Sequence, residues 1–239
     1  RSLFRYRIML KITKLNQFYG QSHTLWDLSL EVKKGECLCV MGRNGVGKTT
    51  LMDTIMGQHP IASGTIEFNG EDITHLSVED RASLGIGYVP QGRQIFPLLT
   101  VEENLKIGLG ARHDGLKEIP KAVYDLFPVL YDMKHRQGGD LSGGQQQQLA
   151  IGRALVIDPK LIIFDEPTEG IQPNIVSEIA TIMRKLNKEI GLTVLLVEQK
   201  LPFARKMGDR FYLIDRGQEV AQGLMTDLNE DLIKKYLTV

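Results

Sequence analysis

Apolar and polar residues alternate over residues 10–15 and, less strictly, over 25–32. This period of two sends successive side chains to opposite faces, so both segments are predicted as antiparallel strands. The pattern then changes. Residues 36–41 form a short, dense apolar run that breaks into Gly42-Arg43-Asn44-Gly45-Val46-Gly47-Lys48-Thr49-Thr50, and LMDTIMG follows with helical spacing and a closing Gly57. The order is strand, loop, helix. Ser77 with Asp80, and Thr100 with Glu103, have the form of N-terminal capping signals, which predicts helices from near Val78 and Val101 with a strand at 87–89 between them. Residues 92–156 carry helical patterns punctuated by Pro97, Pro120 and Pro128, and read as a helical insertion. Beyond it, the short apolar strands 161–164, 193–197 and 211–214 are separated by helical patterns at 174–190 and 201–207, and residues 227–237 read as a final helix. Strands alternating with helices predict a parallel sheet covered on both faces.

Composition narrows the class. The 239 residues suit one domain with an insertion, and 42% apolar with 24% charged residues excludes disordered, collagenous and coiled-coil chains. Lys plus Arg (29) balances Asp plus Glu (29), so no global field draws the chain to nucleic acid or to an acidic membrane surface. The longest apolar runs fall far short of the roughly 18 to 20 residues a membrane helix requires. Cys37 and Cys39 stand two apart in one strand, on one face, and are expected as buried thiols in a reducing compartment. Residues 1–8 carry three arginines without the apolar core of a signal peptide, and are expected to be a tag or extension outside the fold. The glutamine run 145–148 reads as a solvated helix face.

Three segments carry chemistry. Residues 42–49 match G-x-x-x-x-G-K-[S/T] in full, between a buried strand and a helix. There, backbone N–H groups and the helix N-terminus cradle phosphate, Lys48 neutralises phosphate oxygens and the Thr49 hydroxyl ligates Mg²⁺. The apolar run 161–164 ends in Asp165, placed to support the metal, and Glu166, placed to polarise an attacking water. Leu141-Ser142-Gly143-Gly144-Gln145 sets a serine at a helix start beside two glycines, which suits close backbone approach to an anion, or serves only as a helix cap.

Together these three segments resemble the ATP-binding cassette (ABC) ATPases, and the resemblance runs from Met9 to the end. It implies a P-loop NTPase (RecA-like) α/β core with an antiparallel β subdomain, built from residues 9–91 and 157–239, and a helical subdomain at 92–156. It also implies ATP and Mg²⁺ as cofactors, and two cassettes that sandwich ATP head to tail, so that Ser142, Gly143, Gly144 and Gln145 close on nucleotide held by another cassette. Tyr19 matches the adenine-stacking aromatic, and Gln91 the glutamine that reaches Mg²⁺ and the γ-phosphate. Two positions depart from the family pattern: Gln199 stands where a histidine usually contacts the γ-phosphate, and Gln172 where an aspartate is usual. Glutamine still donates a hydrogen bond but carries no charge.

The segment Val197-Glu198-Gln199 and the run from Asp165 to Val176 resemble the ATP-binding subunits of branched-chain amino-acid type importers, most of all the urea importers. The resemblance implies a second, different ABC ATPase subunit, two transmembrane permease subunits, indirectly a substrate-binding protein, and a peripheral place on the cytoplasmic face of the membrane. Import of branched-chain amino acids or amides is the alternative. A soluble ABC ATPase acting on nucleic acid or ribosomes fits less well, since the chain has one cassette, no heptads and no net charge. A nucleotide-binding switch without turnover fits poorly with Lys48, Asp165 and Glu166 all present.

Overall fold

The computed structural model describes residues 8–238. Strands β1 (Ile8–Tyr19) and β2 (Ser22–Lys33) form an antiparallel hairpin, and β4 (Ser63–Phe68) and β5 (Glu71–Asp72) extend it into a four-stranded sheet of order β2-β1-β4-β5. Both hairpin strands outrun the alternation that predicts them. Past Leu15 the inward position is the polar Gln17, and Lys14 and Asp27 take left-handed backbone at irregularities of the ladder that shift its phase. Ile8, expected outside the fold, opens β1 and pairs with Lys33, because the ladder continues past the apolar segment; residues 1–7 of the expected extension lie outside the described residues.

The second sheet has the order β10-β9-β3-β8-β7-β6. Strands β3 (Cys37–Met41), β6 (Ile86–Val89), β7 (Leu161–Asp165), β8 (Thr193–Val197) and β9 (Arg210–Asp215) are parallel, and β10 (Gln218–Leu224) closes one edge antiparallel to β9. Successive residues of its strands feed two cores. Cys37, Cys39, Ile162 and Phe164 face one core, with Ile179 and Met183 of α7 (Pro173–Arg184) and Leu149 of α6 (Gly143–Leu155). Leu38, Val40, Ile163 and Leu195 face the other, with Leu51 and Ile55 of α1 (Lys48–Met56) and the inward residues of β1 and β2. One face is therefore covered by helices and the other by a helix and the antiparallel sheet. Both thiols are free and buried, and burial pushes their pKa values up, which keeps them inert.

Register places the chemistry. Val40 and Asp165 both pair with Val197, and Val89 pairs with Phe164, so the loops leaving β3, β6, β7 and β8 emerge together at one edge of the sheet. Between β6 and β7 lie α3 (Val101–Ile107), α4 (Lys121–Leu126), α5 (Pro128–Asp132) and α6, with no strand among the described residues beyond an isolated Thr100–Gln137 bridge. The predicted helix start at Thr100 carries a full capping box, and the start at Ser77 caps α2 (Val78–Leu84) with one side-chain hydrogen bond. The pattern at 174–190 divides into α7 and a wider turn at Lys185–Glu189, where the buried Asn187 amide donates to the carbonyls of Gly35 and Leu192. Helix α8 (Leu201–Met207) follows its prediction, and the last helix, α9 (Glu230–Tyr236), is shorter than predicted because the Asn229 side chain caps it. Among the described residues no helix is long and apolar enough to cross a membrane.

One buried cation anchors α1. Arg81, 3% exposed, donates to the carbonyls of Thr54 and Ile55 in the last turn of α1 and to those of Thr74 and Leu76. The Thr54 carbonyl also accepts from the Gly57 N–H at the helix cap, so the guanidinium adds a second donor there and meets three further carbonyls at once. Arg81→Ala is expected to lower the free energy of unfolding by about 3 kcal/mol. The check is the urea midpoint at unchanged slope; a loss under about 1 kcal/mol would mean the carbonyls find other partners.

Candidate functional site

The phosphate-type loop is shaped by two close demands. A Cβ on Gly42 would meet the carbonyl oxygen of Ile214 at 2.5 Å, and Gly47 holds φ +112, so neither position admits a side chain without movement. Helix α1 begins at Lys48 with no side-chain cap and no acid in its first turn. By contrast, α6 starts with a capping box in which Ser142 Oγ accepts from the Gln145 N–H and Gln145 Oε1 from the Ser142 N–H. The first N–H groups of α1 are thus left to an external acceptor, and an anion suits them.

Lys48 is 5% exposed. Its ammonium donates to the carbonyl of Gly42 and, at 2.7 Å, to that of Arg43, folding the loop over its own lysine. Burial lowers its pKa, while the carboxylates of Glu166 and Asp165 work in the opposite direction. Arg43 turns away and donates to the carbonyl of Lys235 at the end of α9.

Asp165, at the end of β7, is 1% exposed. Its Oδ2 accepts from the Tyr88 hydroxyl at 3.4 Å, and its Oδ1 is buried without a hydrogen-bond partner. Burial first, and Glu166 second, push its pKa up to about 6. Asp165, Thr49 and Gln91 line one cavity of about 590 Å³. An orphaned carboxylate oxygen beside a hydroxyl and an amide is an oxygen-only donor set, which fits Mg²⁺ completed by phosphate and water. Among the described residues no group of three or more His, Cys, Asp or Glu could hold a metal, so a protein-only cage is not built.

Glu166 takes left-handed backbone, φ +48, and its N–H donates to the carbonyl of Val197. Two neutral amides meet its carboxylate: Gln199 Nε2 donates to Oε1 at 2.7 Å and Gln91 Nε2 to Oε2 at 3.1 Å. Gln199 also donates to Asn44 Oδ1. A cavity of about 290 Å³ is lined by Asn44, Gly45, Gly47, Lys48, Thr49, Thr50, Gln91 and Glu166, so the structure brings these sequence-predicted residues together. Val46 is buried beneath the loop and packs in the core with β1 and β2.

The remaining predicted residues lie apart from that cavity. Ser142 and Gly143 are exposed at the start of α6, with Gly144 buried behind them and Gln145 half-buried, and none of the four lines it. Tyr19 stands exposed at the end of β1, edge-on to His59 at 5.0 Å. Gln172 is exposed before α7.

Sequence reading missed several groups here. Glu198 is 2% exposed; its carboxylate accepts from the Thr168 hydroxyl and from the N–H groups of Gln199 and Lys200, tying the turn after β7 to the turn after β8. Burial pushes its pKa up. Next to Thr24 on the cavity wall, His23 stacks between Phe18 (4.1 Å) and Trp26 (3.6 Å), an aromatic cluster whose close spacing around the Gly20 turn was the available signal. After Gln91, Gly92, Arg93 and Gln94 all take left-handed backbone, which costs on the order of 1 kcal/mol for each non-glycine. Arg153 of α6 holds that turn by donating to the carbonyls of Arg93 and Gln94, and Arg93 in turn donates to the carbonyl of Gly143.

The raised pKa of Asp165 has a measurable consequence. Its ordinary value is 3.8, so between about pH 4 and 6 the folded chain holds a proton that the unfolded chain has released, and stability falls as pH rises through that window. In the metal-free chain, Asp165→Asn is expected to add about 2 kcal/mol of stability above pH 6 and almost nothing below pH 4. Urea denaturation in EDTA across that range checks this; a gain independent of pH contradicts it.

Residues 25–169 match the family described as ABC transporter. The chain is 42% identical over 214 residues to the high-affinity branched-chain amino acid transport ATP-binding protein BraG of Pseudomonas aeruginosa, covering 89% of this chain and 91% of that one. It is 39% identical over 223 residues to the probable branched-chain amino acid transport ATP-binding protein LivF of Archaeoglobus fulgidus, covering 93% and 94%. A nucleotide-free ATP-binding cassette from an ABC transporter matches with TM-score 0.82 at 29% identity, over 96% of this chain and 95% of that one. The dimeric post-hydrolysis cassette MJ0796 bound to ADP and Pi matches with TM-score 0.81 at 26% identity, over 91% and 99%.

Proposed function

We propose, from the premise that this chain belongs to the ABC transporter family and is a Mg²⁺-dependent ATPase of P-loop NTPase fold, that it powers an importer of branched-chain amino acids or related amides. The relatives named for branched-chain amino-acid transport support that substrate class; the urea reading has no such support from them. In this reading the chain sits on the cytoplasmic face of the membrane. It pairs with a second, different cassette and two permease subunits, receives solute indirectly from a binding protein, and touches no nucleic acid.

The observation that carries the reading is the meeting of Lys48, Asp165, Glu166, Gln91 and Gln199 where four adjacent parallel strands end. Lys48 exchanges its two loop carbonyls for phosphate oxygens, and the uncapped start of α1 supplies further donors. Tyr19 offers a ring to the adenine. Thr49, Asp165 and Gln91 would hold Mg²⁺, which when bound would offset negative charge on phosphate oxygens. Glu166 orients the attacking water and takes its proton, with its carboxylate aimed by the amides of Gln91 and Gln199. Gln199 exchanges its hydrogen bond to Asn44 for one to the γ-phosphate, as a neutral donor. Residues 92–156 act as the helical subdomain, and the exposed Ser142 to Gln145 complete the site of the partner cassette. Closure of the two cassettes moves the permeases, and hydrolysis resets them.

Two outcomes test these roles in the reconstituted transporter. Glu166→Gln is expected to bind ATP normally and lose roughly 10²-fold or more in turnover, whereas Lys48→Ala weakens nucleotide binding itself. Unchanged turnover at saturating ATP in Glu166→Gln would remove it from the role of base. A partner cassette with a charged or stronger donor in place of Gln199 makes the two composite sites unequal. Ser142→Arg, which disables the partner's site, is then expected to cost more steady-state ATPase than Gln199→Ala; the reverse order contradicts the unequal pair.

A further inference from the structure

Glu169 has no role in the account above, yet it makes the shortest contact to Gln91. The Gln91 Nε2 donates to Glu169 Oε2 at 2.6 Å, against 3.1 Å to Glu166 Oε2. The turn after β7 explains why both acids reach one amide: the Glu169 N–H donates to the carbonyl of Glu166, closing a turn through Pro167, and Gly170 with φ +67 ends it. Both carboxylates stand with Gln91 on the wall of one cavity of about 410 Å³, and Gln91 and Glu169 also line the cavity that holds Thr49 and Asp165.

Chemistry then decides which way the amide faces. A carboxylate only accepts, so two of them converging on one side chain amide fix its NH₂ end against the acids and leave its carbonyl oxygen as the free end. A metal takes the oxygen, never the NH₂. The backbone beneath is fixed as well, since Arg153 donates to the carbonyls of Arg93 and Gln94 in the left-handed turn that follows. Glu169 supplies the shorter of the two anchors, and a hydrogen bond to an ionised acceptor is about twice as strong as one to a neutral acceptor.

We propose that Glu169 is a positioning residue for metal binding: its carboxylate, through the Gln91 amide, presents the Gln91 carbonyl oxygen to the Mg²⁺ that Thr49 and Asp165 also hold. The inference rests on the metal reading of Gln91 given above. Glu169 itself stays outside the metal's donor set, and it acts by preventing the amide from turning over.

The test is calorimetric binding of a non-hydrolysable ATP analogue to the full chain, with Mg²⁺ and with EDTA, which gives the ratio of the two dissociation constants. Glu169→Ala is expected to shrink that ratio about three- to tenfold while leaving the EDTA value unchanged, and Glu169→Gln, which keeps a neutral acceptor, to shrink it less. In parallel, the Gln91 side-chain amide resonances are expected to move in Glu169→Ala. A ratio that stays the same or grows in Glu169→Ala overturns the proposal. Gln91→Ala separates the two levels: if it leaves the ratio unchanged, the metal reading of Gln91 fails, whereas a ratio that falls in Gln91→Ala but not in Glu169→Ala overturns Glu169 alone.

Discussion

Lys48 is an ammonium with almost no contact with solvent, and a buried cation is stable only where oxygens surround it. Two of those oxygens are carbonyls of its own loop, which requires the chain from Gly42 to Gly47 to curl over the side chain. That curl requires glycine where Ile214 presses on the loop, and the carboxylates of Asp165 and Glu166, at the end of β7 beyond the intervening β8, favour the charge. Neighbouring parallel strands end together in this sheet, so register alone brings cation and acids to one place. The site is thus an electrostatic balance held short of completion: Asp165 remains partly protonated near pH 6 and one of its oxygens has no partner, both of which a divalent cation on that oxygen corrects.

Around that balance the structure uses neutral amides and not ion pairs. Asn44, Gln199, Glu166, Gln91 and Glu169 form one chain of hydrogen bonds linking the phosphate-type loop to the turns after β6, β7 and β8. Amides hold acids in place without cancelling their charge, so a carboxylate aimed in this way remains able to accept a proton. The strained turn at Arg93 and Gln94 ties the same chain to both ends of α6, because Arg153 in its last turn donates to the turn's carbonyls and Arg93 donates to the Gly143 carbonyl at its start. Displacement of α6 therefore acts directly on the segment that carries Gln91.

What could be read from the sequence was local. The loop at 42–49, the run ending in Asp165 and Glu166, and the capping signals at Ser77 and Thr100 each depend on a few consecutive residues, and the structure places them where those patterns predict. Strands β4, β5 and β10 lacked a signal: β4 buries only Ile66 and Phe68 deeply, β5 has two exposed acids, and β10 is a largely polar edge. Glu198, Arg153 and Glu169 were invisible because their partners lie about 30, 60 and 78 positions away, and nothing in a linear pattern marks which buried acid meets which hydroxyl. The cargo was not legible for a different reason. The residues that line these cavities are phosphate-type loop residues, acids and amides, and their patterns do not separate urea from branched-chain amino acids.

The most direct measurement is a crystal structure of this chain with Mg²⁺ and a non-hydrolysable ATP analogue. The account expects Lys48 Nζ to leave the carbonyls of Gly42 and Arg43 for phosphate oxygens, the backbone of residues 42–47 to stay within about 1 Å, and Asp165 Oδ1 to gain a partner in the metal shell. A loop that must refold to admit the phosphates, or a lysine that keeps both carbonyls while nucleotide binds elsewhere, would contradict it.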